Sequence, residues 1–297
     1  MSTATLTPST TSTHATTPPG RTSTDPVIEV PAAPSAGTRA LGALRRAVRR
    51  SAAVILFLLL WEFGTQYLLQ PDLMVFLPPL HVVLQSLWDL AVAGELQRHI
   101  AASLTRAVLG FGIAVVAGII LGIAVAWYDG LREFLTPLLE LFRNTAALAL
   151  LPVFTLLLGI GELSKVSIVA FAAFFPVLLN TVAGVRTVDP LLVRAARSLG
   201  LSQVQLFAKV VLPSAVPTIF TGVRMAGTAS ILVLIAAEMV GAKAGLGYLI
   251  VNSQNSFQIP DMYAGIVAVA VLGLVVNIGL VRLERHFSSW RVSPHGN

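Results

Sequence analysis

The feature that most constrains this chain is a series of long, unbroken apolar runs, of which "LGFGIAVVAGIILGIAVAW" over residues 109–127 is the plainest. A helix needs about 20 such residues to cross the hydrocarbon core of a bilayer. Runs of this kind place six membrane spans at about 51–69, 103–127, 134–158, 165–185, 214–241 and 262–282. Within lipid only helices and closed barrels satisfy all their own backbone polar groups. The runs here are continuous rather than alternating, which selects an all-α integral membrane bundle over a barrel. With 11% charged residues and 55% hydrophobic ones, the chain needs membrane to hide its surface. It contains no cysteine. Disulfides, thiolate metal sites and a cysteine nucleophile are therefore excluded.

Outside the spans the organisation is simple. Residues 1–38 are rich in Thr, Ser, Pro and Ala with no apolar period, and are expected to be a disordered cytoplasmic tail. The transmembrane domain is expected over 39–285, and 286–297 as a second short cytoplasmic tail. Between the first two spans, Leu80, Val83, Leu84, Leu87 and Leu90 recur at helical spacing, predicting an amphipathic helix along the outer surface. Arg45, Arg46, Arg49 and Arg50 precede the first span. Arg132, Arg186, Arg194, Arg197, Lys209, Arg282, Arg285 and Arg291 fall on the same side of the threaded chain, whereas Arg98, Lys165 and Lys243 fall on the other. The positive-inside rule then puts both termini in the cytoplasm. The net charge of +6 is accounted for by these loops facing anionic lipid and calls for no nucleic acid.

Small residues recur every four positions in two spans: Gly110, Ala114, Gly118, Gly122 and Ala126 in the second, Gly222, Ala226 and Ser230 in the fifth. Close helix packing is reason enough for such stripes. The long polar stretch, 189–213, reads as two short helices. Asp189-Pro190 is a good helix start, and Gly200 a good stop. Ser202 and Gln205 stand at capping-box spacing, opening a second helix with Val204, Phe207, Ala208 and Val211 on one face before Pro213 stops it. The pair presents Arg194, Arg197, Ser198, Gln203 and Lys209 at the membrane surface.

The spacing Ala195-Ala196-x-x-x-Gly200, nine residues, then Val210-x-Leu212-Pro213 resembles the E-A-A-x-x-x-G-x9-I-x-L-P signature of membrane subunits of binding-protein-dependent ABC importers. "LPP", "GEL", "RAVLGF", "FRNTAALALLP", "GIGELSK", "FPVLLNT", "ARSLGLSQVQLF", "LPSAVP" and "AGLGYL" extend the resemblance over residues 51–285, to the nitrate/sulfonate/taurine permease branch and most to its aliphatic sulfonate members. The resemblance implies a type I importer permease (MetI-like) fold in the plasma or inner membrane, and a pore subunit rather than an enzyme. It makes residues 194–202 (Arg194, Ala195, Ala196, Arg197, Ser198, Leu199, Gly200, Leu201 and Ser202) the coupling helix that seats in a separate ATPase. It further implies a homodimer, two ATP-binding subunits and an extracytoplasmic solute-binding protein. The chain lacks the G-x-x-x-x-G-K-[ST] phosphate loop, so ATP and magnesium belong to the partner ATPase and no cofactor to this chain. Where the family signature has an acid, this sequence has Arg194, which we expect to meet an acidic residue of its own ATPase.

Ionisable residues inside spans are costly and face a cavity or a partner. Glu140 and Arg143 lie three apart and either neutralise each other or serve the translocation pathway, in which Arg143-Asn144 suits an oxyanion. Arg224 and Glu238, fourteen residues apart on one helix, each need a partner elsewhere, across a dimer axis for instance. Asn180 and Asn277 are expected to join helices. No H-E-x-x-H metal motif and no G-x-S-x-G nucleophile occur. Sulfonate or taurine is the first substrate expectation, with nitrate, bicarbonate and thiamine or riboflavin precursors open. An ion-coupled secondary transporter remains the alternative from another class; its mark would be inverted repeats with broken helices.

Overall fold

The computed structural model describes residues 36–67 and 75–287, with side chains described over 52–67 and 75–285. The chain divides into two compact units, Met1–Val54 and Ile55–Asn297. In the first, the described residues 36–54 are helical. The elements are α1 (Ala36–Tyr67), α2 (Leu80–Val92), α3 (Glu95–Trp127), α4 (Asp129–Arg143), a 3₁₀ turn (Ala147–Leu150), α5 (Leu151–Leu158), α6 (Glu162–Arg186), α7 (Pro190–Ser198), α8 (Gln203–Leu206), a π-helical turn (Phe207–Val211), α9 (Leu212–Glu238), α10 (Leu246–Asn255) and α11 (Ile259–Phe287). The tails expected over 1–38 and 286–297 lie outside the described residues, except for 36–38 and 286–287, which are helical.

Four expected spans are helices long and apolar enough to cross a membrane: Glu95–Trp127, Glu162–Arg186, Gln203–Glu238 and Ile259–Arg285. Of the span expected over 51–69, Ala52–Tyr67 is an apolar helix and 68–69 lie outside the described residues. The third expected span, 134–158, is not one helix. It is α4 followed by the 3₁₀ turn and α5, bent by 89°. The cause is local: the polar run Arg143-Asn144-Thr145 ends α4, Ala146 turns extended, and Pro152 suits a fresh helix start but not a helix interior.

α6 packs between α3 and α9, and the small-residue stripes are the reason. Gly110, Ala114, Gly118 and Gly122 are buried against α6. A Cβ on Gly110 would stand 2.7 Å from the Val166 carbonyl oxygen, and one on Gly122 would stand 2.7 Å from Cβ of Thr181. Gly222 of α9 lets the Pro176 carbonyl approach to 2.8 Å of where its Cβ would be. Ala226 and Ser230 continue that buried stripe. The opposite side of α3 exposes Val108, Leu109, Ile113, Val116 and Ile120, a face suited to lipid.

α2 buries Val83, Ser86 and Leu90 against Leu246, Leu249, Ala264 and Ala268, and the Ser86 hydroxyl donates to the Asp261 carboxylate. Leu84, on the apolar stripe expected of an amphipathic helix, is half exposed, and Ser86 is buried beside Val83 and Leu90.

Candidate functional site

At one end of the bundle the polar stretch folds as its local chemistry dictates. The Asp189 carboxylate accepts from the Leu191 N–H at 2.8 Å, with Pro190 as the first residue of α7. Gly200, at φ +76°, takes the left-handed turn, and the Leu201 N–H closes back on the Ala196 carbonyl at 3.2 Å. Both bonds of the capping box between Ser202 and Gln205 are made.

Pro213 does not stop the second helix. The chain passes through the π-helical turn into α9, the Leu212 N–H reaching the Phe207 carbonyl five residues back. Such a wide turn lets a helix run on into a proline-bearing segment without an amide at every position. It also changes the buried face. Val211 points inward as expected and Phe207 is half-buried, but Leu206 also turns inward while Val204 and Ala208, expected on the same face, are exposed.

Ala196, Leu206 and Val211 join the core built from Ala173, Val177, Val185, Ala215 and Ile219, so the pair is fixed to α6 and α9. Arg194, Ala195, Arg197, Ser198, Leu199, Gly200 and Ser202 are exposed, and Leu201 is half-buried. Arg186, Arg194 and Arg197 line one groove of about 920 Å³ over an apolar floor that includes Trp127 and Val188. Among the described residues none of these three arginines has an ion-pair partner.

The charges expected along a pathway do not converge within one chain. Arg143 and Asn144 are exposed at the α4–α5 bend, and among the described residues Glu140 and Arg143 form no ion pair. Arg224 pairs with Glu284 of α11 at 3.0 Å. The Asn180 amide turns to its own helix, donating to the Pro176 carbonyl at 2.8 Å. Glu238 finds its partner inside the chain, at the bundle end opposite α7 and α8.

There it is fully buried, at 0% exposure. Its carboxylate accepts from the Ser103 hydroxyl at 2.8 and 2.9 Å, from Arg106 Nη1 at 2.6 Å and from the Gly247 N–H at 3.0 Å. Arg106 Nη1 also donates to the Ala244 carbonyl at 2.7 Å. The other edge of that guanidinium, Nε and Nη2, grips the Glu162 carboxylate of α6, Nη2 at 2.6 Å. The Ser103 hydroxyl accepts from the Leu246 N–H at 2.9 Å, and His99 Nδ1 accepts from the Gly245 N–H at 3.1 Å. Gly245, at φ +122°, and Gly247 are required here, because a Cβ on either would run into Glu238. Lys165, expected among the outer loop charges, is instead buried in the first turns of α6 beside this cluster.

Sequence reasoning missed Arg106. Its signal is the polar spacing His99, Ser103, Arg106, which sets three hydrogen-bonding side chains on one face of an otherwise apolar helix. "AGLGYL" supplies the glycine turn that this face needs.

A family model described as "Binding-protein-dependent transport system inner membrane component" matches residues 114–290. The taurine transport system permease protein TauC of Escherichia coli (strain K12) is 37% identical over 241 residues, 80% of this chain and 86% of that protein. The putative aliphatic sulfonates transport permease protein SsuC of Bacillus subtilis (strain 168) is 36% identical over 208 residues, 70% of this chain and 75% of its own length. Among solved structures, a chain of the MetNI methionine ABC transporter in inward facing conformations aligns with TM-score 0.56 at 16% identity, over 74% of this chain and 99% of that one. A chain of an amino acid ABC transporter aligns with TM-score 0.54 at 19% identity, over 68% and 97%. At those identities the solved chains show the fold alone.

Proposed function

This chain belongs to the inner membrane components of binding-protein-dependent transport systems, and we propose that the solute it moves is a small sulfonate, taurine or an alkanesulfonate. It is the translocation subunit of an ABC importer. The substrate reading is carried by the relatives that cover most of the chain, a taurine permease and a putative aliphatic sulfonates permease from two different bacteria. The exposed Arg143-Asn144 pair at the α4–α5 bend fits that reading. A guanidinium fork and an amide can share the oxygens of a sulfonate.

In this proposal two copies of the chain form the pore, and two ATP-binding subunits dock on α7 and α8. ATP and magnesium reside in those subunits, and a solute-binding protein docks at the opposite end. Both termini then lie in the cytoplasm. Because Ala196, Leu206 and Val211 are packed into the α6–α9 core, a displacement of α7 on ATP-driven closure of the partners is passed to the spans as rigid-body movement. The nine residues from Arg194 to Ser202 act as the contact. Arg143, Asn144, Arg224 and Glu238 bear on the pathway in different ways: the first two by facing solute, the last two by holding spans together through Glu284 and Arg106.

The test is uptake of radiolabelled taurine by proteoliposomes holding the assembled transporter. We expect uptake only with ATP inside and the solute-binding protein outside, suppressed by excess ethanesulfonate and indifferent to excess nitrate or bicarbonate. ATP-dependent uptake that nitrate suppresses and ethanesulfonate does not would overturn the substrate reading.

A further inference from the structure

We propose that the outer edge of Arg106, together with Lys165, is an oxyanion-binding site that Glu162 occupies in this structure and an incoming sulfonate displaces. The proposal rests on the reading of the solute as a small organic anion. Arg106 is preorganised for such a role. Its side chain is 5% exposed, with Nη1 fixed by Glu238 and by the Ala244 carbonyl. The remaining edge, Nε and Nη2, presents two parallel N–H groups, and both Glu162 oxygens sit on them. That bidentate geometry is the one a sulfonate or carboxylate adopts on a guanidinium. The occupying carboxylate can be reached from solvent: the Glu162 side chain is 70% exposed and, among the described residues, only Arg106 holds it by a hydrogen bond or ion pair.

The second, independent observation is Lys165. It is 2% exposed, yet its ammonium has a single hydrogen bond among the described residues, to the Gly161 carbonyl at 3.1 Å. A buried ammonium carries three donors, so two lack an acceptor here. It stands three residues from Glu162 on α6, which puts the two side chains on the same face of that helix. With Glu162 in place, two cations face two carboxylates. With Glu162 swung out, Arg106 and Lys165 face Glu238 alone, and the site carries one unmatched positive charge at the first turn of α6, where the helix dipole also favours an anion.

Opening the site requires no helix movement. α3 and α6 are packed through Gly110, about one turn below Arg106, and through Gly118 further along, and only the exposed Glu162 side chain has to rotate. A sulfonate has one more oxygen than a carboxylate. Two oxygens match the Arg106 edge, and the third suits the unmet donors of Lys165. The site stands at the end of the bundle opposite α7 and α8, where a solute would arrive.

The experiment measures equilibrium binding of radiolabelled ethanesulfonate and of inorganic sulfate to the purified full chain in lipid nanodiscs. Glu162→Ala should bind both anions about tenfold more tightly than the unmodified chain. Adding Lys165→Met to Glu162→Ala should abolish that gain. Glu162→Asp, which keeps the charge on a shorter arm, should show little of it. Equal binding by the unmodified chain and Glu162→Ala, or a gain that survives Lys165→Met, would overturn the site. The two readings fail separately. Tighter sulfate binding by Glu162→Ala without ATP-driven sulfonate uptake by the assembled transporter upholds the site and removes the sulfonate. Sulfonate uptake with no anion gain on Glu162→Ala does the reverse.

Discussion

Arg106 holds two carboxylates in opposite settings, and the difference sets what each is worth. Glu238 is fully buried with four hydrogen bonds, whereas the Glu162 side chain is mostly exposed. Removing Glu238 strips the acceptor from Arg106 Nη1, the Ser103 hydroxyl and the Gly247 N–H in a buried place, a loss of the order of the about 3–5 kcal/mol of a broken buried pair. Because the Glu162 side is open to solvent, water can replace its carboxylate on Arg106, and its loss falls nearer the about 0–1 kcal/mol of a solvated pair. Glu238→Ala should therefore lower the apparent unfolding temperature of the solubilised chain sharply, and Glu162→Ala scarcely at all. Equal shifts would mean that the two arms of Arg106 are equivalent. Arg194 poses a different residue-scale question, since it stands where the family signature has an acid and is exposed without an ion-pair partner among the described residues. If it meets an acidic residue on the ATP-binding subunit, Arg194→Glu should weaken assembly by about tenfold, as charge reversal at an interface rim does. Titration of the solubilised chain with that subunit checks this. An unchanged affinity would remove the pairing.

Among the elements, α3 and α6 meet through absent side chains. A Cβ on Gly118 would lie 2.9 Å from Cγ1 of Val177, whereas one on Gly112 has nothing within 4 Å. Gly118→Leu should therefore force the helices apart and deplete folded protein from the membrane. Gly112→Leu, one turn and a half away on the same helix, should be tolerated. Quantifying folded chain by fluorescence-detected size exclusion separates the two, and similar losses would mean that helix propensity rather than packing governs the site. This stripe was legible in the sequence because a helix repeats its faces within four residues. α7 and α8 were legible for the same reason: Asp189, Gly200, Ser202 and Gln205 act on neighbours no more than five residues away. The π-helical turn at Phe207–Val211 and the 89° bend after Arg143 were not, since the length of an apolar run does not reveal where its hydrogen-bond ladder changes register. Nor was the Arg106 cluster, whose carboxylates lie 56 and 132 residues along the chain from it. Only the tertiary fold brings those together.

At the scale of the whole molecule, the charged groups of the spans, among the described residues, do not converge on one path within a single chain. Arg143 and Asn144 are exposed at the α4–α5 bend, Arg224 is engaged by Glu284 between α9 and α11, and Glu238 is sealed at one end. α4 buries no residue among those described, leaving Phe134, Leu138 and Leu141 exposed beside its polar side chains. A helix that is amphipathic and only partly covered, by contacts such as Phe142 on Phe171, suits a water-lined interface better than lipid alone. Two copies related by a two-fold axis would bring their α4–α5 segments to such an interface, each copy supplying half the lining. Native mass spectrometry of the assembled transporter should then give two copies of this chain with two ATP-binding subunits; a single copy would end the half-pore reading. The energy source follows from the same arrangement. The groups that tie spans together are satisfied by partners in this chain, and among the described residues α7 faces outward with Arg194 and Arg197 outside any ion pair, which suits drive from a protein partner rather than an ion. Taurine uptake by proteoliposomes should thus continue undiminished when ionophores collapse the proton and sodium gradients, and stop when ATP is withdrawn. Uptake that follows the gradients instead would return the chain to the ion-coupled class.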